Sequence, residues 1–200
     1  MTAVPAPSRL LASLNGDGRY GLGLACVLAL LLLPSLAGEV GRLAWRYERT
    51  GVAAGEFWRL ASAHWVHLDL RHALLNGAGC ALVWALFARD YRPVHWLAIV
   101  GVSMLAIDAG LWFGAPGIEW YVGASGWLHG VMAAGALAQL RRREHVGWIV
   151  ALVLAGKLLA EQYMPLPFAG DAPVVVQAHL YGAVGGLVIA LCLPSRREPL

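Results

Sequence analysis

The sequence predicts an all-α membrane protein, a single bundle of six transmembrane helices, and three observations predict it. Of 200 residues, 59% are hydrophobic and only 14% charged, which is too apolar for an ordinary soluble domain of that length. Six stretches approach the ~20 apolar residues that carry a helix across a bilayer. Short polar segments separate them, with neither an internal repeat nor a low-complexity region, so one domain over 20–193 accounts for the pattern.

Taken in order, residues 1–19 form a polar N-terminal segment carrying Arg9 and Arg19. The apolar run behind it is long for a signal peptide and lacks a convincing cleavage site, so Tyr20 to Ala37 is read as the first span. The first connection, 38–71, mixes near-balanced charges with Trp45, Phe57, Trp58 and Trp65. That composition predicts a folded element at the membrane interface, anchored by aromatic rings at headgroup depth. The remaining spans are His72 to Ala88, Pro93 to Phe113, Ser125 to Leu140, Val146 to Tyr163 and Val174 to Leu193, followed by a tail over 194–200. The fourth is the shortest and has the weakest hydropathy signal.

Charge sets the expected orientation. Arg9, Arg19, Arg89, Arg92, Arg141, Arg142, Arg143, Arg196 and Arg197 all fall on one side, whereas Gly114 to Gly123 and Met164 to Pro173 contain no Lys or Arg. By the positive-inside rule both termini are cytoplasmic. The net charge of +3 is spread between apolar stretches and forms no continuous basic face, so nucleic acid is not an expected partner. Cys26, Cys80 and Cys192 lie within apolar runs without metal-type spacing and are expected to be small buried hydrophobes.

Ionisable and strongly polar groups inside spans are costly, and each is a functional candidate. They are His72 and Asn76, Asp108, Ser125 and His129, Lys157 and Glu161, and His179. Ser125 opens the fourth span between Gly123 and Gly126, where small neighbours leave a hydroxyl unobstructed beside the free N–H groups of a helix start. Alone, this pattern in a glycine-rich membrane protein favours mere helix packing over catalysis. His179 precedes Gly182 and Gly186, one turn apart, which present a smooth face to a neighbouring helix. Close packing there would bring a base to the serine, which needs one to become nucleophilic at neutral pH. His72 and Asn76, four residues apart on one face, can both donate hydrogen bonds to a developing oxyanion, or can tie helices together.

Together these residues resemble the rhomboid family: HxxxN at His72 and Asn76, GxSG at Gly123 to Gly126, and AHxxGxxxG at Ala178 to Gly186, in family order on the second, fourth and sixth spans. Trp58 and Arg59 resemble the family's WR element, and His67 stands upstream of His72 as a histidine does in rhomboids. The resemblance implies an intramembrane serine endopeptidase with Ser125 as nucleophile, His179 as general base, no third acid and no cofactor or metal. Many rhomboids carry a tyrosine one turn after the serine, against which the histidine packs; here the residue is His129. The stretches WYVGASGWLHG, FWRLASAHWVHLDLRHALLN and AHLYGAVGG, with Lys157 and Glu161, resemble the rhombosortase subgroup. That likeness implies a bacterial inner-membrane enzyme with its site toward the periplasm, and membrane protein substrates that end in a GlyGly motif, a transmembrane helix and a basic end.

The other polar groups have plainer readings. Lys157 and Glu161, one turn apart, are expected to form an ion pair. His64, His67 and His72 do not share a helix face and lack a completing carboxylate or thiol, so no metal site is expected there. His129 either tunes His179 or packs beside it, and Asp108 has no assigned role. A general rhomboid protease with other membrane clients, a non-proteolytic client-binding relative and a small transporter or proton pathway remain as alternative functions.

Overall fold

The computed structural model describes residues 20–163 and 174–196. The N-terminal segment 1–19, the loop Met164 to Pro173, and residues 197–200 with Arg197 lie outside the described residues. Helix α1 (Gly21–Leu32) runs through a 3-10 turn (Leu33–Ala37) into α2 (Gly38–Trp45). A short strand β1 (Tyr47–Glu48) and two short helices, α3 (Arg49–Ala53) and α4 (Trp58–Ser62), complete the first connection. Then follow α5 (Leu70–Phe87), α6 (Pro93–Ala109) ending in a π turn (Gly110–Gly114), β2 (Trp120–Tyr121), α7 (Ser125–Arg141), α8 (His145–Tyr163) and α9 (Val176–Cys192). All six expected spans are helical, with ends shifted by a few residues.

Among the described residues, four helical stretches are long and apolar enough to cross a membrane: Gly21–Trp45, Leu70–Phe87, Pro93–Gly114 and His145–Tyr163. Helices α7 and α9, at 17 residues each, are shorter. The arrangement explains why α7 reads weakly as a span. It is the central helix, packed by α5, α6, α8 and α9, and 12 of its residues are buried. A helix sheathed by protein presents little surface to lipid and needs less hydrophobicity than an outer one. The outer helices carry the lipid-facing belt, with Leu22, Leu82, Leu97, Leu105, Leu152 and Leu191 all exposed.

The tightest packing, between α7 and α9, follows from glycine. A Cβ on Gly182 would meet the backbone of Gly126, and one on Gly186 the backbone of Gly130. Each helix thus sets two glycines, one turn apart, against the other, as small-residue interfaces do in membranes. The smooth face expected of Gly182 and Gly186 is present, and α7 answers it with its own pair. Gly110 and Gly114 likewise lie against the Tyr181 ring of α9.

The first connection is a folded element and not a free linker. β1 pairs antiparallel with β2, Tyr47 opposite Tyr121 and Glu48 opposite Trp120. Arg49 reaches the carbonyls that the π turn leaves open, bonding Leu111 at 2.5 Å and Trp112 at 3.1 Å, and lies over the Trp112 ring. Arg59 of the WR pair donates to the carbonyls of Leu43 at 2.9 Å and Arg46 at 3.0 Å and pairs with Glu56. At the opposite end of the bundle Arg141 donates to the carbonyls of Ala190, Leu191 and Leu193 at 3.0 Å each, capping α9 where its carbonyls lack intrahelical partners. Nearby, burial pushes the Asp90 carboxyl up to about 6 even though Arg142 opposes the shift. The cysteines correct one expectation: Cys80 is buried, but Cys26 and Cys192 are exposed, because they sit on the outward faces of outer helices.

Candidate active site

Ser125 is the first residue of α7, and the chain ahead of it is held from three directions. Gly123 has φ of +118°, a backbone conformation that disfavours a side chain, and a Cβ there would stand 2.9 Å from the His72 ring. Its N–H donates to the Ala63 carbonyl at 2.9 Å. Its own carbonyl accepts from the Tyr121 hydroxyl at 2.7 Å. The β1–β2 pair fixes Tyr121, so the first connection braces the turn that presents the serine. Neither Tyr121 nor Ala63 was legible as part of the site, since their roles depend on a two-residue strand pairing across more than 70 positions.

His179 lies on α9 with Nε2 2.9 Å from Ser125 Oγ. Its Nδ1 faces Glu161 of α8, at 3.0 Å from Oε1 and 2.9 Å from Oε2. An ionised carboxylate only accepts, so the Nδ1 atom carries the ring proton and Nε2 presents a lone pair to the hydroxyl. That is the tautomer a general base requires. A carboxylate thus stands behind the histidine, where the resemblance implies a pair without a third acid. Glu161 also pairs with Lys157, as expected, and its side chain is 0% exposed against 40% for Lys157.

His129 takes the place that the resemblance leaves in doubt. Its ring stacks on that of His179, with centroids 4.2 Å apart and planes 13° from parallel. Its Nδ1 donates to the Ser125 carbonyl at 2.6 Å, holding it against the first turn of α7. A packing partner for His179 is thus present, as imidazole instead of phenol. His129, Glu161 and His179 place donor atoms within 4.8 Å of one another, close enough for a metal ion. Two features oppose that use: nearly parallel stacked rings hold their in-plane lone pairs side by side instead of converging, and Lys157 occupies Oε1 of Glu161.

A cavity of about 500 Å³ opens in front of Ser125, lined by α5, β2, α7, α8 and α9. His72 and Asn76 both reach it. His72 Nδ1 accepts from the Leu68 N–H at 3.4 Å, which leaves Nε2 as its donor. Asn76 gives one amide hydrogen to the His72 carbonyl at 2.9 Å and keeps the other. The cavity therefore brings together a serine hydroxyl hydrogen-bonded to an imidazole and two separate donors, with Gly126 and Gly182 behind them bringing the helices together. Asp108 is not in the cavity: it bonds His64 at 3.2 Å, tying α6 to the first connection. His67 stands edge-on to His72, 5.1 Å between centroids, and burial, reinforced by His72, pushes it down to about 4, so it is neutral at physiological pH.

The Rhomboid domain matches residues 54–196, more than half of the chain. The chain belongs to the rhomboid family. It is 25% identical over 148 residues to "Putative rhomboid protease YdcA" of Bacillus subtilis (strain 168), covering 74% of this chain and 73% of that protein. No solved structure matches at a significant level. With its apolar helices, this rhomboid-family chain is an integral membrane protein. The matched region holds Ser125, His179, His72 and Asn76 together with Glu161.

Proposed function

We propose that this rhomboid-family protein is an intramembrane serine endopeptidase, with Ser125 as nucleophile and His179 as base, acting on other proteins anchored in the bilayer. The observation that carries the reading is the 2.9 Å contact between Ser125 Oγ and His179 Nε2, at the wall of a cavity between helices. Attack of Oγ on a peptide carbonyl passes the hydroxyl proton to Nε2. As the C–N bond breaks, that proton leaves with the amine, and water then releases the acyl group from Ser125 through the same base. Asn76 and His72 supply donors for the carbonyl oxygen as it becomes negative. Six spans, with cytoplasmic termini and the site toward the periplasm of a bacterial inner membrane, are the topology this reading adopts, on the distribution of arginine.

The substrate class follows from the resemblance to rhombosortases: proteins whose C-terminal tail carries a GlyGly motif ahead of a transmembrane helix and a basic end. Purified protein in liposomes, treated with a fluorophosphonate probe, is expected to be labelled at Ser125, located by peptide mass spectrometry. It is expected to cleave a GlyGly-tailed reporter at least tenfold faster than one with the glycines replaced by leucines. Equal rates leave a general rhomboid protease, and no labelling removes the protease reading.

Asn76 gives a finer test. Loss of one oxyanion donor costs ~10²–10³ in turnover where it acts only in the transition state. Asn76→Ala is expected to lower kcat within that range with KM changed less than threefold. A change confined to KM would assign Asn76 to ground-state binding.

A further inference from the structure

We infer that Glu161 is the positioning residue of a Ser-His-Glu relay, and that Lys157 keeps it ionised; this deepens the protease reading and rests on it. A carboxylate with a fully buried side chain in a membrane helix is retained against a large desolvation cost. Here both of its oxygens lie within hydrogen-bond reach of one atom, His179 Nδ1, at 3.0 and 2.9 Å, and Oε1 is shared with Lys157. A surface ion pair with Lys157 would not need that placement. Lys157, one turn earlier and half-exposed at the cavity, supplies the counter-charge that lets a buried carboxylate stand beside the imidazole.

The consequence falls on His179. Glu161 accepts the Nδ1 proton, fixes the ring plane and reserves the Nε2 lone pair for Ser125. When the Oγ proton moves to Nε2 as the bond from Oγ to the carbonyl carbon forms, the resulting imidazolium keeps its Nδ1–H on Glu161. Nε2 then returns the proton to the amine, and Glu161 stays ionised throughout. His129, stacked on one face of the ring, restrains its tilt. Ring rotation is blocked from two sides, by a hydrogen bond in the plane and a stack across it.

Glu161→Gln keeps the shape but lets the amide N–H bond Nδ1 and favour the wrong tautomer, a change that costs up to ~10⁴ in serine proteases. The expected result is a kcat at least 100-fold lower with KM within twofold, and slower fluorophosphonate labelling in proportion. Glu161→Asp restores a carboxylate and recovers at least tenfold over the Gln variant. The neutral double variant Lys157→Met with Glu161→Gln removes any unpaired charge and is expected to stay within threefold of Glu161→Gln alone. Recovery of wild-type rates in the double variant would mean that Glu161 serves only as counter-ion to Lys157, and the inference is lost. A Glu161→Gln protein that cleaves within threefold of wild type overturns it as well, while the labelled Ser125 leaves the protease reading standing. An unlabelled wild-type protein removes that reading and this inference together.

Discussion

Ser125→Ala and His179→Ala each lower cleavage by ~10⁴-fold or more, and the double variant is no slower than either alone. The reasoning starts from the shared proton. Ser125 without a base keeps its hydroxyl proton at neutral pH, and His179 without a nucleophile has nothing to deprotonate, so either loss removes the same covalent route. In serine proteases such residues act as a unit, and their deletions are grossly non-additive. What survives is binding and the proposed oxyanion donors, His72 and Asn76, which stand on a different helix. Both variants are expected to fold, since Ser125 and His179 leave space when truncated and the α7–α9 contact is made by glycines beneath them. The measurement is cleavage rate in liposomes for the two single variants and the double variant, with circular dichroism as the folding check. Additive losses in the double variant would show two independent contributions and would sink the unit.

The helical stretches were legible because the bilayer imposes a length and a composition on spanning segments, and each expected span is helical within a few residues of its expected ends. Four of the site residues, His72, Asn76, Ser125 and His179, were legible for a related reason: a polar group in an apolar helix has no inexpensive explanation. Glu161 was visible by the same rule, yet its role was not. Its sequence partner Lys157, four residues away, accounts for the charge locally, whereas its contact with His179 depends on how α8 is rotated against α9. Hydropathy carries no information on rotation when most faces of a helix are apolar. His129 shows the same limit from the other side. A change of residue type was readable, but only packing reveals that an imidazole can stack on His179 and bond the Ser125 carbonyl.

The glycines carry the second large effect, because they set the distance across which the proton must move. Gly182→Ala puts a methyl group into the backbone of Gly126, the residue after the nucleophile, and neither partner is a flexible side chain that could yield. The helices must part, and overpacking of this kind costs ~1–3 kcal/mol. Since Gly182 lies three residues after His179, the displacement falls on the 2.9 Å contact itself. A shift of an ångström in a catalytic group can cost ~100-fold. Gly182→Ala is therefore expected to lower kcat by about that factor and to lower the melting temperature by several degrees. Gly156→Ala is the matched control: nothing lies within 4 Å of a Cβ there, and alanine favours a helix over glycine by ~1 kcal/mol. It should leave cleavage unchanged and the melting temperature equal or higher. If Gly182→Ala cleaves at the wild-type rate, close approach of α7 and α9 is not what positions His179, and Glu161 and His129 alone must hold the base in place.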